Sequence, residues 1–286
     1  VSIAAAIGTR RRSPLPGFGI ALGYTLTYLS LIVLLPLAGV FFKSATIGVA
    51  EILEIVSSER VLSALKLSFG TALVAALVNA LFGLLIAWVF VRYEFPAKRL
   101  FDAAIDLPFA LPTAVAGIAL TALYASNGWI GGLLEVAGLQ VAYTPLGIVV
   151  ALLFIGLPFV VRTVEPVLRD AEKELEEAAA SLGATRWQTI RLVILPTVFP
   201  ALLTGFALAF ARGVGEYGSV IFIAGNIPFV SEIAPLLIVI RLEEFDYAGA
   251  TVVAATMLVV SFVMLLLLNA LQAWTNRHRR RPQGGR

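Results

Sequence analysis

The sequence predicts an all-α, polytopic membrane protein with six transmembrane helices. Three observations carry that prediction. Of the 286 residues, 59% are hydrophobic and the mean hydropathy is +0.94, whereas soluble domains are close to about half apolar. Charged residues make up only 14% and fall into a few short clusters. Between the clusters run apolar stretches of about 20 residues or more, the length that a hydrocarbon core of roughly 30 Å requires.

The first long apolar stretch, 20–41, follows Arg10, Arg11 and Arg12. A basic start also marks a secretory signal, but this stretch is too long for a signal core and lacks a small-residue cleavage site. It is expected to be the first span, kinked by Pro36 near its outer end. Residues 43–60 mix Val49, Ile52, Leu53, Ile55 and Val56 with Glu51, Glu54 and Glu59, which predicts a short external helix at the interface. The second span, 62–91, is longer than a bilayer needs, so its start near Arg60 and Lys66 should project outward. Asn79 lies within it and is expected to make an interhelical hydrogen bond.

After Arg92, Lys98 and Arg99 comes FDAAIDLPFALPTAVAGIAL. Asp102 and Asp106 share a helix face, and Lys98 and Arg99 are their expected partners at the interface; a proton or cation site is the competing reading. Pro108 and Pro112 break the chain before a third span that reaches about Tyr124. Residues 126–144 are read as external, and Pro145 opens a fourth span ending near Val164. The fifth span begins at Val198 and leads into ARGVGEYGSVIFIAGN. There Arg212 and Glu216 stand four apart among glycines, followed by Tyr217. Two readings stay open: a self-paired bridge that fixes packing, and the lining or gate of an anion pathway. Residues 227–246 are expected to be external or partly inserted, and the sixth span runs from Tyr247 to Leu271.

Lysine and arginine orient the bundle. Residues 10–12, 92–99, 162–191 and the tail hold 16 of the 21, so both termini and the long polar loop are expected to be cytoplasmic. The net charge of +3 follows this topology, which makes lipid rather than nucleic acid the partner. With no cysteine, neither disulfides nor thiolate metal sites are available. His278 sits in the basic tail NRHRRR and carries no expected metal or catalytic role. There is no GxxxxGK[ST] phosphate loop and no nucleophile–base constellation. The chain is expected to be no enzyme, to hold no cofactor, and to borrow its energy from a partner.

The polar loop, 166–196, reads PVLRDAEKELEEAAASLGATRWQTIRLVILP. Leu168, Ala171, Leu175, Ala178 and Leu182 fall on one helical stripe. Gly183 can end that helix in the left-handed conformation, and Thr185 with Gln188 has the capping-box spacing for a second short helix from Arg186. Pro196 marks the return to the membrane. Glu177-Ala178-Ala179, three residues, Gly183, nine residues, Val193, one residue, then Leu195-Pro196 resembles the EAA motif of ABC importer permeases. Val193 stands where that family usually has isoleucine.

That resemblance implies a type I importer (MetI/ModB-like) permease fold. It also implies that the loop 165–196 docks on an ATP-hydrolysing subunit through Glu177, Ala178, Ala179, Gly183, Leu195 and Pro196. The stretch ARGVGEYGSVIFIAGNIPFVSEIAPLLI is similar to the T-type permease subunits of sulfate/thiosulfate importers, while DLPFALPTAVAGIAL is shared more widely with molybdate permeases. The expected partners are therefore a second, W-type permease subunit, two ATPase subunits that bind ATP and Mg, and an external sulfate-binding protein. The expected division is an N-terminal cytoplasmic segment 1–19, a permease domain 20–271 and a basic cytoplasmic tail 272–286. A bacterial plasma membrane is preferred to a plastid envelope. A molybdate or tungstate permease and, from another class, an ion-coupled anion transporter using Asp102, Asp106 or Glu216 stand as alternatives.

Overall fold

A computed structural model describes residues 17–170 and 173–279, with side chains for all of these except 173–175 and 273–279. The basic residues 10–12, the side chains of Lys173, Leu175 and His278, and the tail arginines lie outside the described side chains. The helices, in chain order, are α1 (Phe18–Ala45), α2 (Val49–Ser57), α3 (Glu59–Arg92), α4 (Lys98–Ile105), α5 (Leu107–Ala110), α6 (Thr113–Tyr124), α7 (Trp129–Val136), α8 (Pro145–Asp170), α9 (Lys173–Ser181), α10 (Arg186–Val214), α11 (Val220–Ile223), α12 (Ala234–Glu243) and α13 (Tyr247–Arg279).

Five of these, α1, α3, α8, α10 and α13, are long and apolar enough to cross a membrane. The third span is interrupted as Pro108 and Pro112 predict. It breaks at Asp106 and again at Leu111–Pro112, where the backbone is extended, leaving the 12-residue α6 as its apolar part. Pro108 and Pro112 cannot donate backbone hydrogen bonds and force this segmentation.

Prolines act differently in α1 and α10. A π-helical turn, Ser30–Leu34, stands just before Leu35-Pro36, and another, Ile190–Ile194, just before Leu195-Pro196. The wider turn absorbs the missing proline donor without ending the helix. The short helix expected from Arg186 is consequently the first turn of the span itself. The fourth span likewise runs past Val164 and through Pro166 to Asp170.

The core is a three-helix crossing of α3, α8 and α10. The inner face of α3 is small: Ala72, Ala75, Ala76, Gly83 and Ala87 are all buried. Small residues let helix backbones approach where no hydrophobic force drives helices together in lipid. Val160 of α8 sits at the crossing. A Cβ on Gly83 would lie 2.7 Å from its Cγ1, and one on Gly205 of α10 would lie 2.9 Å from its Cα. Asn79 Nδ2 reaches across to the Leu152 carbonyl of α8 at 3.5 Å, a long bond. Around this core, α13 packs on α1, α10 and α12.

Polar contacts divide the bundle into two ends. At one end, the C-termini of α3 and α8 meet α4 and the α9–α10 hairpin. At the other, Arg60 of α3 holds Glu232 in a bidentate pair at 2.8 and 2.7 Å. The Ala234 amide donates to Ser68 Oγ nearby at 2.8 Å.

Candidate functional site

Two features single themselves out: the α9–α10 hairpin and the turn that follows α10. The hairpin is built as the spacing predicts. Helix α9 ends at Ser181, and Gly183 adopts φ 81°, a conformation that costs a side-chain-bearing residue about 1–2 kcal/mol. Its amide and that of Ala184 satisfy the carbonyls of Ala180 and Ala179. Thr185 then caps α10: its Oγ1 accepts from the Gln188 amide at 3.3 Å, while Gln188 Oε1 accepts from the Thr185 amide at 2.7 Å.

The single apolar stripe does not persist through the hairpin. Leu168 is buried in α8, whereas Ala178 is exposed and Leu182 is 88% exposed. Ala171 and the side chain of Leu175 lie outside the described part. The exposed apolar surface is formed instead by Leu182, Trp187 and Leu192. Glu177, Ala178 and Gly183 are exposed and Ala179 is half-buried. Leu195 and Pro196 are half-buried just beyond the π-turn. The neighbouring Glu176 is turned inward and ion-pairs with Arg92 at the end of α3. The Arg92 guanidinium also lies 5.6 Å from the Trp88 ring centre. This anchor leaves Glu177 free to face outward.

At the end of α10, Arg212 and Glu216 form an i, i+4 ion pair, the contact named by the first of the two open readings. The Glu216 side chain is 2% exposed and that of Arg212 is 35% exposed. Glu216 Oε1 also accepts from the Ser219 amide and Ser219 Oγ, both at 2.9 Å. The carboxylate is thus fully paired inside the bundle, and the cation reaches from it toward the surface. Tyr217 packs partly buried against the main core. Helix α6 presses on this turn: a Cβ on Gly117 would lie 2.8 Å from Ser219 Cα and nearer still to its carbonyl oxygen.

Asp102 and Asp106 do sit in an ion-pair cluster, but the partner differs from expectation. It is Arg162 of α8, whose Nη1 donates to Asp102 Oδ1 at 2.7 Å and whose Nε and Nη2 donate to Asp106 at 2.9 and 2.7 Å. Lys98 turns back to Glu94 instead. Arg162, Glu165 and Arg169 have helical spacing and were legible as a local pair series. Their link to α4 joins residues some sixty apart in sequence and left no signal there.

The chain matches the family described as binding-protein-dependent transport system inner membrane component over residues 79–281. It is 52% identical over 249 residues, 87% of this chain and 88% of the relative, to a probable sulfate transport system permease protein cysT of Nephroselmis olivacea. It is 47% identical over 268 residues, 94% and 96% of the two chains, to the sulfate transport system permease protein CysT of Escherichia coli (strain K12). Among solved structures, a chain of a bacterial ABC transporter involved in the import of the acidic polysaccharide alginate superposes with a TM-score of 0.73 at 17% identity, covering 89% of this chain and 94% of that one. This last likeness speaks to the fold alone. The chain, with its apolar helices and its importer-permease fold, belongs to the family of binding-protein-dependent transport system inner membrane components.

Proposed function

We propose that this chain is the T-type permease subunit of an ATP-driven sulfate/thiosulfate importer in a bacterial plasma membrane. The observation that carries the reading is identity of 47–52% over 87–94% of the chain to relatives named as sulfate transport permeases. Its partners are a second, W-type permease subunit, two ATPase subunits that bind ATP and Mg, and an external sulfate-binding protein. Both termini and the α9–α10 hairpin face the cytoplasm, on the side where 16 of the 21 lysines and arginines lie.

The hairpin is the ATPase dock. Exposed Glu177, Ala178 and Gly183, with the apolar surface of Leu182 and Trp187 beside them, offer a small-residue ridge that a groove can hold. ATP binding draws the ATPases together and moves the hairpin, and the bundle swings from inward-facing to outward-facing. Sulfate then enters from the binding protein. Arg212, Glu216 and Tyr217 act at the pathway. Arg212 presents a cation whose charge Glu216 largely balances. A compensated cation suits passage of a dianion better than its retention, since conduction needs sites that also release.

The test is labelled sulfate uptake in a sulfate-uptake-deficient strain expressing this chain with its neighbouring transport subunits. Uptake should need an active ATPase and resist modest molybdate. Strong molybdate competition would reassign the substrate, and uptake surviving ATPase inactivation would reject ATP-driven import.

A further inference from the structure

The Arg162 cluster lies outside both features described above, yet it stands physically between them. All five N–H groups of the guanidinium are used. Nε and Nη2 grip Asp106 at 2.9 and 2.7 Å. Nη1 donates to Asp102 Oδ1 at 2.7 Å and to Glu165 Oε2 at 2.8 Å, and the remaining Nη2 proton goes to the Asp102 carbonyl at 3.1 Å. The second Glu165 oxygen accepts from Arg169 at 2.5 Å. Glu165 is 6% exposed, against 43% and 48% for Asp102 and Asp106. The cluster therefore welds the broken segment α4–α5 to the last two turns of α8, immediately before the hairpin.

From there the contacts continue. Phe109 of α5 meets Phe159 of α8 edge-on at 5.1 Å. Pro112 turns the chain into α6. Gly117 of α6 rests directly on Ser219, with no room for a Cβ, and Ser219 holds Glu216 by two hydrogen bonds. Rigid short elements joined by close backbone contact and charge-assisted bonds can pass a displacement; a flexible loop would dissipate it.

We infer that Arg162 is a coupling residue, which clamps α4–α5 to the base of the hairpin so that hairpin movement is delivered through α6 to the Glu216–Ser219 turn. The inference rests on the proposed reading of the hairpin as the ATPase dock. In this scheme Arg162 acts through Asp102, Asp106 and Glu165 and is a positioning residue. Arginine is required because lysine supplies a point charge with three donors, which cannot grip Asp106 bidentately while also holding Asp102 and Glu165.

The experiment uses the complete importer in proteoliposomes, with labelled sulfate uptake and ATP hydrolysis measured on the same sample. In Arg162→Lys the assembled complex should hydrolyse ATP near the wild-type rate while sulfate moved per ATP falls about tenfold. Asp106→Asn, at a more exposed position, should lower the same ratio and serves if the lysine variant fails to assemble. The double variant should be no worse than the worse single one, because both remove one linkage. A purely structural role would lower uptake and hydrolysis together with the amount of complex and leave the ratio unchanged, which overturns the inference. Gly183→Asp is the parallel control. If it leaves transport fully coupled, the dock reading fails and takes this inference with it. If it uncouples while Arg162→Lys and Asp106→Asn do not, only the Arg162 role is rejected.

Discussion

Replacing Gly117 by alanine separates what helix propensity expects from what the packing allows. Alanine exceeds glycine in a helix interior by about 0.8–1 kcal/mol, so propensity alone makes Gly117→Ala stabilising. In the fold, the new Cβ would stand 2.8 Å from Ser219 Cα. Ordinary carbon contact begins near about 3.5 Å, so α6 or the turn must yield by roughly 0.7 Å. The obstacle is backbone rather than a side chain that can rotate away, which places the overpacking penalty in the upper part of the usual range of about 1–3 kcal/mol. The net expectation is a loss of about 1–2 kcal/mol. For a chain of this length that corresponds to a fall in melting temperature of roughly 2–8 °C. Displacing Ser219 also misaligns both donors to Glu216 Oε1, so sulfate uptake should fall further than the amount of assembled importer does. Gly70→Ala, a helix position with nothing within 4 Å of the added carbon, is the comparison and should be neutral or slightly stabilising. The assay is thermal unfolding of the purified importer in detergent, paired with uptake in vesicles. Gly117→Ala melting at or above wild type with unchanged uptake would refute the reasoning.

Three further outcomes are expected. Gly183→Asp forces a side chain into φ 81° at the hairpin turn; it should abolish co-purification of the ATPase or uncouple hydrolysis from uptake, and fully coupled transport would sink the docking role. Arg212→Ala should destabilise the importer more than Arg212→Ala combined with Glu216→Ala, because the single change leaves a carboxylate that is 2% exposed without its counter-charge; if the double variant keeps wild-type uptake kinetics in a stably assembled complex, the pair has no transport role. At the opposite end, Arg60→Ala should lower stability by up to about 3 kcal/mol, the low end for breaking a buried pair since Arg60 is itself 35% exposed, whereas Glu232→Gln, which keeps part of the hydrogen bonding, should cost less; equal melting temperatures for the two variants would count against the ion pair as the anchor of the segment before α12.

Much of the architecture was legible because its signals are local. Length and composition of the apolar runs mark the long helices, since any lipid-facing backbone must satisfy its own hydrogen bonds. The i, i+4 spacing announced the Arg212–Glu216 pair, Thr185 and Gln188 announced the capping box, and Gly183 announced the reversal. Local signals misled at the boundaries of two spans. The fourth span is expected to end near Val164, yet α8 runs through Pro166 to Asp170, and Pro196, read as the return to the membrane, lies inside α10 just after a π-turn that absorbs its missing donor.

By itself, then, the sequence determined the membrane class, the placing of the long apolar helices, the hairpin's turn and cap, and the resemblance that pointed to the family. Tertiary structure alone decided which charges meet. Arg162 rather than Lys98 or Arg99 holds Asp102 and Asp106, Arg92 holds Glu176, and Arg60 holds Glu232. It also decided that Gly117 must lack a side chain. Each of these joins residues far apart along the chain, and spacing along a helix carries no information about what a second helix will bring to the same face. The reason is physical: a charge at the membrane boundary takes whichever partner the close packing of small-residue helix faces delivers within hydrogen-bond reach.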